Sequence, residues 1–226
     1  YLDIFGDLDS IDSDTISTFF VDYMLVFGSA IGKQYSKYLK GSVLLAGSIK
    51  NNFAPKENSS QSGVIAYISM WRGVTTDGVH AKIDDKYRFD SYEDFFVRPD
   101  TLIIQFLMHY ARKNDKRLMI IPNTRFPEDL LRKKYDDELL VSQKKLQKEK
   151  DYFRELMGIE PEFSEVSGLY HSYKAVDSAE IVVSIDSTLG YESVSRGKKT
   201  AFFPIRSTEL DLPDLAYGWP SDYPDE

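Results

Sequence analysis

The sequence contains no cysteine, which excludes disulfides, thiolate metal sites and a cysteine nucleophile together, and suits a reducing cytoplasm. It also lacks any stretch near the roughly 20 apolar residues that a membrane-spanning helix needs, and shows no charged-then-apolar signal segment. A soluble cytoplasmic protein is expected, associated at most peripherally with the inner face of the membrane. Histidine is scarce: His80, His109 and His171 are the only three, and His80 and His109 have no partner at ligand spacing. No metal is expected. There is no excess of positive charge either, since 28 Lys+Arg face 36 Asp+Glu for a formal net charge of -8. Such a chain has no field to attract a polyphosphate, so nucleic acid is not an expected partner.

What the chain does have is alternation. In its 226 residues, 42% hydrophobic, short apolar runs alternate with amphipathic ones. FFVDYMLVF (19–27) reads as a buried strand, SAIGKQYSKYLK (29–40) as a helix closed by Gly41, and SVLLA (42–46) as a second strand. That order is a βαβ unit and implies parallel pairing. NNFAPKENSSQSG (51–63) is polar and aperiodic, a loop or linker. VIAYIS (64–69) restarts the pattern, followed by a polar stretch to Arg98 that fits no element. A helix from Thr101 carries Leu102, Ile103, Phe106, Leu107 and Tyr110 as its apolar stripe. RLMIIP (117–122) is a strand. A charged helix over 142–157 shares Leu146, Phe153, Leu156 and Met157 on one face, takes its lysines 144–150 as a wet face, and ends at Gly158. The segment GLYHSYKAVDSA precedes the strand IVVSI; the helix LGYESVSR, closed by Gly197, leads to the strand KTAFF (199–203). Strands apolar on both faces mark a sheet covered by helices on both sides. The fold class is therefore α/β, a Rossmann-like parallel sheet. Three regions are expected: 1–58, 59–204, and an irregular tail 205–226.

In such sheets ligands bind at the carboxyl ends of the strands, where the next helices present unpaired N–H groups. Four places qualify. Asp186-Ser187-Thr188 leads through Leu189 and Gly190 into a helix, where hydroxyls and amides can hold a phosphate, and Glu192 on the first turn can accept two ribose hydroxyls. Asp, Ser and Thr are equally the ordinary capping residues, so both readings stand, although Glu192 is off the capping-box spacing. Ser69, Arg72 and Gly73 follow the VIAYI strand, and an arginine there can fork onto a diphosphate; a surface Arg with Trp71 packed on the core is the simpler alternative. Asn123 and Arg125 follow RLMIIP, where they can reach a base or phosphate or merely open a turn before Pro127. His171, Ser172 and Tyr173 precede IVVSI; a loop histidine can bind phosphate or act as acid or base, or simply be solvated.

These segments resemble a family. VIAYISMWRG (64–73) looks like the strand-and-arginine motif that opens the C-terminal domain of CDP-glycerol glycerophosphotransferases and related GT-B enzymes, with Ser69 and Met70 in place of a Pro-Thr pair. AEIVVSIDSTLGYESVSRGKKTAFF (179–203) resembles the donor-binding segment of bacterial surface-carbohydrate glycosyltransferases, including the part shared with UDP-GlcNAc 2-epimerases. DYMLVFGSAIGKQYSKYLKGSVLLAGS (22–48) is similar to the stretch that closes the N-terminal domain and crosses over. The resemblance implies a GT-B-type glycosyltransferase, or its donor-binding half, that moves a sugar from a nucleotide-sugar onto a glycan or lipid-linked acceptor in surface polysaccharide or lipopolysaccharide assembly. The donor would be a substrate, and no cofactor or metal is implied. Ser187 and Thr188 would face the donor phosphates, Glu192 the ribose, and Arg72 the charge of the leaving group. Arg72 and His171 are the candidates for catalysis; no base is named. The histidine-proline pair of many relatives is absent, with Pro122-Asn123-Thr124 in its place, and the resemblance implies that the N-terminal acceptor domain is missing or reduced, with 1–58 as its end and the crossover. A UDP-GlcNAc 2-epimerase-like enzyme and a non-catalytic nucleotide or glycan binding module are the alternatives.

Overall fold

The computed structural model describes residues 20–37, 39–57, 62–71, 97–124, 136–185, 187–203 and 205. They fall into two compact units that meet in sequence between Ala54 and Pro55.

In the first unit, β1 (Phe20–Val26) and β2 (Lys40–Leu45) pair in parallel around helix α1 (Ser29–Tyr35), and helix α2 (Ile49–Phe53) follows, capped by Ser48. The βαβ order is as expected, with two differences. α1 stops at Tyr35, because Lys40 is already paired with Phe20 and draws Gly41 into the sheet rather than leaving it as a helix cap. α2 also occupies the start of the expected loop at 51–63. The strands are not buried: Phe20, Tyr23, Leu25 and Leu45 are each more than half exposed, and Val26 is the buried residue of β1. Two strands and a seven-residue helix do not cover both faces of an apolar pair.

The second unit is built on a five-stranded sheet. Its strands are β3 (Val64–Ile68), β4 (Arg117–Ile121), β5 (Glu162–Phe163), β6 (Ile181–Ser184) and β7 (Lys199–Phe202), in the order β5-β4-β3-β6-β7. All pairings are parallel, with Val64 opposite Arg117, Ile65 opposite Ile181, and Ile181 opposite Lys199. Helices α3 (Arg98–Lys113), α4 (Asp136–Met157), α5 (His171–Ser178) and α6 (Thr188–Ser195) make the connections. This is an α/β Rossmann-like fold with helices on both faces. Alternation along the strands divides the core. Ile65, Tyr67, Ile120 and Val183 meet Ile104 and Leu107 of α3 and Phe153 and Met157 of α4 on one face. Val64, Ala66, Ile121 and Val182 meet Ala175 and Val176 of α5 and Leu189 of α6 on the other.

Three details depart from the sequence expectations. The buried stripe of α3 is Ile103, Ile104, Leu107 and Ala111, one residue out of phase with the expected one; Leu102 and Phe106 lie outside, where Phe106 packs on Tyr110 and Phe203. The charged helix begins at Asp136 rather than 142. Within its lysine-rich run Lys144, Lys145 and Lys148 are exposed as expected, but Glu149 is fully buried. Gly197 takes φ +79, the left-handed turn that ends α6. Most of the polar stretch before Arg98, and nearly all of the expected tail 205–226, lie outside the described residues.

The amino ends of the strands are tied by charge. Arg196, 4% exposed, grips Asp177, 1% exposed, with Nε on Oδ1 (2.8 Å) and Nη2 on Oδ2. The same guanidinium donates to Pro55 O (2.7 Å), lies over the Tyr173 ring, and leaves Asp177 Oδ2 to accept the Glu57 N–H (2.8 Å). Burial raises the cost of charging Asp177, yet the hydrogen bonds from Arg196 and Glu57 and the Arg196 charge outweigh it and hold the carboxyl below its ordinary value. A second tie runs from Lys116 Nζ to Glu180 (2.8 Å), whose Oε2 also accepts the Gly63 N–H (2.6 Å). Lys116 first, then Gly63, holds the Glu180 carboxyl below its usual range.

Candidate functional site

In the strand order, the chain moves outward from β3 through β4 to β5, then returns to place β6 on the other side of β3. The switch point lies between the carboxyl ends of β3 and β6, where open α/β sheets bind ligands because no connection covers the crevice.

On the β6 side, Ser187 is the N-cap of α6 in extended conformation, with φ -80 and ψ 136. Its hydroxyl accepts the Leu189 N–H (3.3 Å), its carbonyl accepts the Gly190 N–H (2.9 Å), and its own N–H reaches Ser184 Oγ (3.1 Å). The capping role of Ser187 is thus realised. Thr188 is exposed and Ser187 half-buried. An incoming phosphate oxygen can take the place of the Ser187 hydroxyl on the Leu189 N–H, in the field of the helix end. Leu189 itself turns its side chain into the core.

Gly190 has a different reason from the one its sequence context suggests. A Cβ at this position would lie 2.7 Å from Ser184 Cβ and 2.8 Å from Phe202 Cε1. Glycine is what lets α6 rest directly on β6 and β7, and Ser193 one turn on closes the contact by bonding Gly190 O and Thr200 Oγ1, both at 2.6 Å. Glu192 is not on the first turn, which holds no acid. It stands four residues after Thr188, hence on the same helix face, and about 7.5 Å along the axis from Ser187. It is half-buried, and its charge supports Arg196 one turn later.

On the β3 side, Ser69 is 2% exposed and its hydroxyl is engaged inside the protein: it donates to Glu149 Oε1 (2.6 Å) and accepts the Trp71 N–H (3.2 Å). Glu149 Oε1 also accepts the Asn123 N–H (2.7 Å), and Oε2 accepts the Thr124 N–H (3.0 Å). Asn123 Nδ2 closes the ring on Trp71 O (2.7 Å). The residues after β3 and after β4 are therefore joined through one carboxylate from α4. Among the described residues Thr124 Oγ1 and Ser164 Oγ, at the ends of β4 and β5, are buried hydroxyls without a hydrogen-bond partner.

His171 opens α5 rather than lying in a loop. Nothing in the sequence marks that start, because the N-cap is Tyr170 and no side chain caps the helix. The ring is 8% exposed, and Nδ1 lies 2.8 Å from Gly168 O. A carbonyl only accepts, so Nδ1 carries the hydrogen in this contact. Ser172 is half-buried beside it, and Tyr173, 2% exposed, is a core ring beneath Arg196. Arg72, Gly73, Arg125 and Asp186 lie outside the described residues. The structure thus brings Ser187, Thr188, Leu189, Gly190 and Glu192 onto one short helix, and joins Ser69 to Asn123. Glu149 went unnoticed in the sequence; its signal is the spacing 149, 153, 157, which puts it in line with Phe153 and Met157. Among the described residues no three His, Asp or Glu gather as a metal site, and no helix is long and apolar enough to cross a membrane.

The five-stranded parallel sheet, its strand order and the helices on its faces define an α/β protein of the Rossmann-like class. More particularly, the model of one family, described as "putative O-antigen biosynthesis protein", matches residues 2–226, and the chain belongs to that family. The description links it to the making of a surface polysaccharide. No curated protein matches it.

Proposed function

We propose that the chain is the donor-binding part of a GT-B-type glycosyltransferase that transfers a sugar from a nucleotide-sugar to a glycan or lipid-linked acceptor during O-antigen assembly. The observation that carries this reading is the start of α6 at the switch point, with Ser187 half-buried and Thr188 exposed. The family supports the biosynthetic setting. In this reading the phosphate next to the ribose docks on the Leu189 N–H and the Ser187 and Thr188 hydroxyls. Glu192, on the Thr188 face, accepts the two ribose hydroxyls. The outer phosphate faces the segments that follow β3 and β4 in sequence, and Arg72 and Arg125 of those segments are assigned the role of neutralising the charge that grows on the leaving group. That stabilisation is the largest usual contribution in such transfers.

Thermal shift against CMP, CDP, UDP and GDP tests the reading. A ligand at 100 times its Kd adds about 2.7 kcal/mol, which for a chain of this size raises Tm by roughly 5–10 °C. Glu192→Ala is expected to keep the wild-type melting profile and bind the stabilising nucleotide about 10–100-fold more weakly, since it removes two hydrogen bonds to a charged acceptor. If none of the four stabilises the wild type, the donor site is refuted. Unchanged affinity in the variant returns Glu192 to its support of Arg196.

A further inference from the structure

We infer that His171 Nε2 and the Ser172 N–H, at the start of α5, form with the start of α6 one cradle for two phosphates, which makes the proposed donor site select nucleoside diphosphates; the inference rests on the nucleotide reading above. α5 and α6 lie side by side on one face of the sheet, where Ala175 and Val176 of α5 share a cluster with Leu189 of α6. They also run the same way. Each leads from the carboxyl end of one strand to the amino end of the next, where Arg196, just past α6, grips Asp177 in the last turn of α5. Both have eight residues, about 12 Å of helix, so their starts come level at the carboxyl edge, one packing distance of about 8–10 Å apart.

Two groups at the start of α5 are left for a ligand. The His171 ring is 8% exposed, with Nδ1 tied to Gly168 O. Nε2, on the far edge of the ring, has no hydrogen-bond partner among the described residues, yet it is not sealed in, since the fully buried unpartnered side-chain atoms are Thr124 Oγ1 and Ser164 Oγ. Helix side chains lean toward the N-terminus, so a ring at the first position of α5 leans beyond the helix start. The second group is the amide that a cap would take. Tyr170 makes no side-chain bond to the first turn, and the Ser172 N–H has no acceptor among the described residues, whereas at α6 the Ser187 hydroxyl takes the Leu189 N–H. A phosphate oxygen at the start of α5 accepts the Ser172 N–H in the field of the helix end. It also accepts from Nε2 once a solvent proton occupies that nitrogen, which makes the ring a charged donor. One phosphate cannot serve both helix starts across the gap between them, whereas a diphosphate extends from one toward the other. α5 packs against β3, the side on which the nucleotide reading puts the outer phosphate.

His171→Asn tests this, because its amide nitrogen can keep the bond that Nδ1 makes to Gly168 O while nothing stands at Nε2. Affinities for CDP, UDP and GDP, each against its monophosphate, are measured calorimetrically on wild type and variant. The wild type is expected to bind its preferred diphosphate at least about 10-fold more tightly than the matching monophosphate, and the variant to lose about 10-fold on the diphosphate, the scale of one hydrogen bond to a charged group. The monophosphate should change by less than about 2-fold, the inner phosphate being held at α6. A wild type indifferent to the second phosphate, or a variant that loses equally on both ligands or on neither, overturns the inference and leaves the nucleotide reading standing. A wild type that binds none of the six nucleotides refutes that reading and this inference with it. Should His171→Asn not fold, His171→Phe removes the same nitrogen and keeps a ring in the same space, with the same selective loss expected and the same results against it.

Discussion

Gly190→Ala separates two accounts of the glycine at the head of α6. If the residue serves only a ligand, alanine should stabilise the free protein, because a helix gains up to about 1 kcal/mol from Gly→Ala. The packing predicts the opposite. The new methyl would meet Ser184 Cβ at 2.7 Å, Ser184 Oγ at 2.8 Å and Phe202 Cε1 at 2.8 Å. The first of these is anchored to the backbone of a fully buried strand residue and cannot swing aside. The Phe202 ring is itself stacked on Tyr191 at 4.5 Å. Overpacking costs about 1–3 kcal/mol, and three contacts under 3.0 Å put this case in the upper part of that range, about 2–3 kcal/mol, so after the helix gain a net loss of about 1–2 kcal/mol is expected. Urea titration with unchanged m-value reads it as a shift in midpoint, and heating as a Tm lowered by about 2–8 °C. Ser184→Gly removes two of the three contacts, so the double variant should recover part of the loss, with a coupling of at least about 0.5 kcal/mol. A Gly190→Ala protein as stable as wild type, or one that Ser184→Gly does not rescue, refutes the argument.

Ile104→Ala is expected to cost about 2–5 kcal/mol, and Leu102→Ala, on the outer face of the same helix, under about 0.5 kcal/mol; equal losses would mean that the phase of α3 is wrong. Asp177→Ala strands the Arg196 guanidinium inside the protein and should cost about 3–5 kcal/mol by denaturant titration, with a cost below about 1 kcal/mol showing that the pair is dispensable. Asp177 and Glu180 both have carboxyls held below their ordinary values. Their contribution is therefore complete above the ordinary carboxylate pKa of about 4 and is lost as pH falls through the depressed native values. Asp177→Asn combined with Glu180→Gln should flatten the fall in stability below about pH 4, and an unchanged acid slope would contradict it.

The alternation of elements, the strand cores and the helix opened by Ser187 were legible because each rests on local signals: apolar runs, a capping serine, a glycine at a helix end. The rest depends on partners distant in sequence. On α3 two neighbouring stripes, 102-106-110 and 103-107-111, are both apolar enough to face a sheet, and only the sheet decides between them. Glu149 sits among lysines and reads as solvated until its three donors, 25 to 80 residues away, are in place. His171 begins a helix that no capping side chain announces. At the site, the inward turn of Ser69 and the packing role of Gly190 are tertiary facts. FFVDYMLVF and SVLLA show the reverse, since apolar composition announced burial that a two-stranded pair with one short helix does not provide.

The distribution of ion pairs gives the second unit a bracing floor and an editable roof. The pins at Asp177, Arg196, Lys116 and Glu180 all lie on the rim at the amino ends of the strands. Segments on the opposite rim can therefore change in length and composition without loosening those pins, provided the Glu149 ring is kept. Whatever the roof presents can then change while the mechanical integrity of the sheet stays with the floor.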